Sequence, residues 1–94
     1  MPHQLPPVLD TIAAEPLRQA LLARVTAGED VIVDGSGVER AGLACLQVLV
    51  GSRGGAAARN VAFDLADPSE ELTGMIRMAG LDDLLAPFAR KAAA

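Results

Sequence analysis

The sequence contains very few of the residues that usually perform chemistry. Its 94 residues include one cysteine, one histidine, two phenylalanines, and no tryptophan or tyrosine. One cysteine cannot form an internal disulfide, and His3, alone in the N-terminal tail, provides no metal site. The scarcity of aromatic side chains also argues against a stacking platform for single-stranded nucleic acid. We therefore expect no cofactor, no bound metal and no catalytic residues, and we expect Cys45 to be a buried, inert thiol.

Basic residues and long apolar runs are also scarce. Eight Lys and Arg residues stand against twelve Asp and Glu residues, so the net charge is -4 and opposes binding to phosphate backbones. No apolar run approaches the length of a membrane-spanning helix, and the N-terminus lacks the features of a signal peptide. These absences predict a cytoplasmic protein that neither binds nucleic acid nor inserts into a membrane.

Aliphatic residues, in contrast, are abundant. Hydrophobic residues make up 51% of the chain, which is enough for a core of Leu, Val, Ile, Ala and Met. The length predicts one small domain over residues 1–94, with residues 1–4 and 90–94 frayed.

Strand-like and helix-like segments alternate along the chain. The predicted strands are residues 5–9, at an edge because of two prolines, residues 31–33, buried on both faces, and residues 60–65. The predicted helices run from Pro16 to a stop at Gly28, from Leu43 to about residues 51–55, and from a cap at Asp67 to a stop at Gly80. Residues 81–85 are predicted to form a strand or turn, and residues 87–91 a terminal helix. Such alternation predicts an α/β fold with helices packed on a sheet.

Three segments at matching spacing resemble one family. Residues 34–38 fit the pattern Asp-x-Ser-x-Val, residues 5–10 resemble an early strand, and residues 78–85 resemble an Ala-Gly-Leu-x-x-Leu ending. Together they resemble STAS domains, the fold of bacterial anti-sigma factor antagonists. The resemblance implies a four- to five-stranded mixed sheet with helices packed mainly on one face.

The segment after this loop departs from the family pattern. STAS domains carry Asp-Ser-x-Gly-Leu at the start of the second helix, where the Ser or Thr is phosphorylated. Here residues 42–46 read Gly-Leu-Ala-Cys-Leu, so Leu43 occupies the phosphoacceptor position and Gly42 replaces the acid. The resemblance thus implies a docking loop without its phosphate switch. Helical spacing leaves open whether Leu43 is buried or exposed.

The resemblance assigns the candidate partner-binding residues to this loop and the helix start. They are Asp34, Ser36, Glu39, Arg40 and Leu43. Purely local roles compete with this assignment, since Asp and Ser in turns commonly bond nearby backbone groups. A surface Arg40 is likewise ordinary.

Residues 38–40 and 45–49 are similar to short STAS proteins of alphaproteobacterial chemotaxis clusters. This similarity implies a non-catalytic interaction module in bacterial signal transduction. Its protein partner would be a signalling kinase, an anti-sigma-type protein or a chemotaxis component. The alternative is the STAS subunit of a phospholipid-transport ABC complex, which docks on the ATPase subunit. The oligomeric state stays open.

Overall fold

The computed structural model describes residues 2–86 and has the predicted α/β character. The predicted terminal helix at 87–91 and the frayed end at 90–94 lie outside the described residues. The strands are β1 (His3–Gln4), β2 (Val8–Leu9), β3 (Val31–Asp34), β4 (Arg40–Ala41) and β5 (Phe63–Ala66). The helices are α1 (Thr11–Thr26), α2 (Leu43–Ala58) and α3 (Glu70–Met78), followed by a 3-10 helix (Asp82–Leu85) where a strand or turn was predicted.

The strands form two parallel ladders in place of the single mixed sheet that was predicted. One has the order β1-β3-β5, and the other pairs β2 with β4. Pro6 and Pro7 cause the division, because neither can donate a backbone hydrogen bond. The Leu5 amide still donates to the carbonyl of Asp34, whereas the Pro7 carbonyl accepts from Glu39 and Arg40 at 2.7 and 3.1 Å. The first segment therefore passes from β3 to β4 at the prolines.

The N-terminal segment contributes a short strand to the first ladder. His3 and Gln4 form β1 and pair with Val33 and Asp34. Burial, with a smaller contribution from the Arg24 charge, lowers the pKa of His3.

Helix α1 begins at Thr11, five residues before the predicted start at Pro16. Asp10 is its N-cap, and one carboxylate oxygen accepts from the Ala13 amide at 3.0 Å. Pro16 lies inside the helix. The predicted stop is confirmed, since Gly28 adopts a φ of 74° just beyond the last turn.

Helix α2 continues through the glycines that were predicted to end it. It runs to Ala58, and Asn60, with a φ of 58°, follows its last turn. A Cβ atom at Gly51, Gly54 or Gly55 would meet no heavy atom within 4 Å. These glycines are therefore not required by the packing of the described chain.

Helix α3 is capped by Ser69, two residues after the predicted cap. The Ser69 hydroxyl accepts from the Leu72 amide at 3.1 Å. Asp67 instead adopts a φ of 48° in the preceding turn. The stop at Gly80 is confirmed, with a φ of 74°.

The core is aliphatic and continuous. Leu9, Leu21, Val33, Leu46 and Leu72 are among its fully buried side chains. Ile32 lies on the exposed side of β3, so this strand is buried on one face and not on both as predicted. No helix among residues 2–86 is long and apolar enough to cross a membrane.

Candidate protein-docking site

Helices α1 and α2 begin side by side, directly after the paired strands β2 and β4. The register of β2 on β4 places Leu9 opposite Ala41, and the next residues, Asp10 and Gly42, are the two N-caps. The Gly42 amide donates to the Leu9 carbonyl at 2.8 Å. The parallel ladder therefore sets the position of the α2 start.

Leu43 is the first residue of α2, and 55% of its surface is exposed. Its neighbours Cys45, Leu46 and Leu49 are buried on the core side of the helix. The first residue of α2 thus presents an isobutyl group to solvent. The choice that helical spacing left open is settled in favour of exposure.

A shallow groove connects Leu43 with helix α3. Its volume is about 290 Å³, and its lining consists of Leu43, Leu46, Met75, Met78 and Ala79. Met78 is 82% exposed, whereas Leu46 is fully buried at the groove floor. Leu43 is therefore part of a wider apolar surface, which we call the Leu43 groove. Methionine side chains adapt to irregular partner surfaces because they are unbranched and polarizable.

Asp34 and Ser36 form the local turn that competed with a binding role. One Asp34 carboxylate oxygen accepts from the Ser36 amide at 2.9 Å. This bond, followed by a bond from the Ser36 hydroxyl, lowers the pKa of Asp34. Asp34 is therefore a carboxylate at neutral pH, and Ser36 is exposed beside it.

Ser69 fixes the position of this loop, a role that the sequence interpretation missed. Its amide donates to the Gly35 carbonyl at 3.0 Å, and its hydroxyl donates to the Val38 carbonyl at 2.6 Å. A Cβ atom at Gly35 would lie 2.7 Å from Cδ2 of Leu72, so α3 approaches the loop as closely as glycine permits. The preference of serine for N-caps was the available signal.

Glu39 and Arg40 link the loop to the α2 start. Both side chains are exposed, and both backbone amides donate to the Pro7 carbonyl. The structure thus joins Asp34 to Ser36 by hydrogen bonds and joins Leu43 to α3 through the groove. Glu39 and Arg40 lie between these two groups along the chain.

Cys45 has the environment of a structural thiol. It is buried, and its sulfur donates to the Asp10 carbonyl at 3.2 Å. Burial, with a smaller contribution from the Asp10 charge, raises the pKa of this thiol, so it stays protonated at neutral pH. Among residues 2–86, no group of three or more His, Cys, Asp and Glu side chains is placed to hold a metal ion.

Comparison with known proteins gives one match. Residues 5–86 match the family model described as "Mlab, STAS domain". No curated protein and no solved structure matches significantly. The match covers all three segments that resemble the family, at residues 5–10, 34–38 and 78–85, and it includes Gly42 and Leu43. The chain therefore belongs to the STAS domain family.

Proposed function

We propose that this STAS domain is a cytoplasmic protein–protein interaction module in bacterial signal transduction, of the anti-sigma factor antagonist or chemotaxis-associated type. The observation that carries the proposal is the exposure of Leu43 at the first residue of α2, beside the exposed Met78. Binding of a partner that removes such an apolar surface from water is favourable in free energy.

A non-catalytic role agrees with the family and with the environment of the reactive groups. STAS domains are generally non-catalytic interaction modules. In this chain the thiol of Cys45 is buried and protonated, and His3, the only histidine, belongs to β1. Neither group is available as an accessible nucleophile with an adjacent base.

Docking at this face would not be switched by phosphate on residue 43. Leu43 has no hydroxyl to accept a phosphoryl group, and Gly42 contributes no acid beside it. A phosphate there would add nearly two negative charges at a helix start. Because Leu43 replaces that acceptor with an apolar group, we propose a permanently available docking face.

Asp34, Ser36, Glu39 and Arg40 would form the polar rim of this face. The rim includes charges of both signs, and Ser69 holds the loop against α3. Protein interfaces commonly combine an apolar centre with a polar rim of this kind. Leu43 would then supply most of the binding energy, and the polar rim would set the orientation of the bound partner.

A second candidate uses the same face. An apolar contact that cannot be switched also suits a permanent subunit, so the STAS subunit of a phospholipid-transport ABC complex remains the alternative. Affinity purification from the native host separates the two. Recovery of a signalling kinase, an anti-sigma-type protein or a chemotaxis component supports the first. Recovery of an ATPase with a membrane permease supports the second.

Substitution of Leu43 by Asp tests the face itself. Asp at the first position of a helix is favourable, so the change removes the apolar group without unfolding α2. Val50→Asp is the matched control, because Val50 is also exposed on α2 but lies outside the Leu43 groove. We expect Leu43→Asp to lose the partner and Val50→Asp to retain it. Equal recovery of the partner by both variants would show that this loop is not part of the interface.

A further inference from the structure

A second groove, unrelated to the Leu43 groove, runs between α1 and α2. Arg18, Leu22 and Val25 form its α1 side, and its α2 side extends from Ala44 to Gly55. Its volume is about 450 Å³, within the roughly 300–1,000 Å³ of small-molecule sites. Leu22 is 47% exposed at the groove, although it is a large apolar side chain. We call this surface the α1–α2 groove.

The dimensions of the α1–α2 groove fit a single extended chain. Its α2 side spans eleven residue steps, which corresponds to about 16 Å along the helix. A medium-length aliphatic chain can lie along this length between the two helices.

Glycines keep the groove open at a cost to α2. Each mid-helix glycine is less favourable than alanine by about 1 kcal/mol. At Gly51 and Gly55, which line the groove, a Cβ atom would meet no heavy atom within 4 Å. The described chain thus leaves unfilled a space that larger side chains would occupy.

Arg18 gives the groove a polar mouth. Its guanidinium is half exposed and donates two hydrogen bonds to the Glu15 carboxylate, at 3.0 and 2.8 Å. A guanidinium has five N–H donors, so three remain for an oxygen acceptor. Gln47 and Ser52 add further polar groups to the lining. The groove therefore combines an apolar floor with a donor-rich edge that matches a carboxylate.

We propose that the α1–α2 groove binds a free fatty acid, with the aliphatic chain between the two helices and the carboxylate at Arg18. The apolar chain covers Leu22, Val25 and Val48, and the carboxylate accepts from the unused Arg18 donors. The pair with Glu15 can stay in place, because it uses only two of the five Arg18 donors. This proposal is independent of the docking function, since it uses a different face of α2.

Decanoate is a suitable probe, and amide chemical shifts of the labelled full chain are a suitable measurement. We expect saturable shifts at Gly51 and Gly55 that are larger than the shift at Gly54, which lies outside the groove. Gly51→Leu should fill the groove and weaken decanoate binding by at least about tenfold. Gly54→Leu makes the same chemical change on the same helix and should leave binding within about twofold.

Decanol separates recognition of the carboxylate from simple apolar partitioning. Decanoate should bind more tightly than decanol to the natural chain, and Arg18→Gln should remove the difference. Equal binding of both probes to the natural chain would overturn the assignment of the carboxylate to Arg18. Equal decanoate binding by Gly51→Leu and Gly54→Leu, both folded by circular dichroism, would overturn the site. Absence of any saturable shift would overturn the proposal as a whole.

Discussion

At the scale of single residues, the proposed docking site depends on a few contacts that fix otherwise exposed groups. The Ser69 hydroxyl connects the start of α3 to the loop that contains Asp34 and Ser36. It donates a hydrogen bond to the Val38 carbonyl and accepts one from the Leu72 amide of α3. Gly35 permits the close approach of Leu72. The loop is thus held by α3 and not by its own side chains alone.

Replacing Ser69 by Ala should destabilise the protein. The change removes an N-cap and a 2.6 Å hydrogen bond to Val38, so we expect a loss of about 1–2 kcal/mol in the free energy of unfolding. Urea denaturation measures this directly. Ser36→Ala, in the exposed part of the same loop, should change the free energy by no more than about 0.5 kcal/mol. Equal effects of the two substitutions would contradict the role given to Ser69.

Gly35→Ala should also be destabilising, for a steric reason. The new Cβ atom would lie 2.7 Å from Cδ2 of Leu72 and 3.3 Å from Cα of Pro68, so the start of α3 must shift. We expect a cost of about 1–3 kcal/mol in thermal or urea unfolding. Gly37→Ala is the control in the same loop, since a Cβ atom there meets nothing within 4 Å. A stable Gly35→Ala protein would show that α3 is free to move away from the loop.

His3 should make stability depend on pH. Burial lowers its pKa in the folded state, so the unfolded chain binds the proton more readily. The contribution of neutral His3 is therefore present above the ordinary histidine pKa of about 6.5 and is lost as the pH falls from there towards the folded value. Urea midpoints measured between about pH 7.5 and 5.5 should fall less steeply for His3→Gln than for the natural chain. Identical slopes would mean that His3 is not buried in β1.

At the scale of elements, helix ends were predicted more reliably than helix starts. Gly28 and Gly80 both adopt the left-handed conformation that ends a helix, a requirement that glycine meets best and that the sequence displays directly. The sequence predicts a start at Pro16 for α1 and a cap at Asp67 for α3, but the actual caps are Asp10 and Ser69. Several nearby residues can cap a helix, and tertiary contacts such as Ser69 to Val38 decide among them.

Gly54 inside α2 and Gly28 after α1 offer a matched test of helix energetics. Gly54→Ala should raise the free energy of unfolding by about 1 kcal/mol, because Gly54 is exposed in mid-helix and has free space at Cβ. Gly28→Ala should lower it by about 1 kcal/mol, because alanine is strained at a φ of 74°. Thermal unfolding of both variants measures the sign of each change in the free energy of unfolding. A destabilising Gly54→Ala would imply a contact at that position.

At the scale of the whole molecule, the family and the α/β class could be predicted, but the strand arrangement could not. The pattern at residues 34–38 and the alternation of segments were sufficient for the first. The division into two parallel ladders depends on which strand Pro7 faces, a long-range pairing that no local pattern encodes. The exposure of Leu43 could not be predicted either, because helical spacing fits both a buried and an exposed residue at this position.

The same arrangement gives helix α2 two separate exposed faces. The Leu43 groove is lined by residues of α2 and α3, and the α1–α2 groove is lined by residues of α1 and α2. One helix can thus support a proposed protein contact and a proposed ligand contact without competition for the same atoms. The tests of the two proposals use different substitutions, so either can fail alone.

The most direct test of the docking face is the affinity of the partner recovered from the native host for the Leu43→Asp protein. We expect a loss of at least about tenfold relative to the natural chain, because a buried leucine contributes roughly 2 kcal/mol and a buried carboxylate adds a penalty. The Val50→Asp protein should bind within about twofold of the natural chain. An unchanged affinity for the folded Leu43→Asp protein would contradict the account.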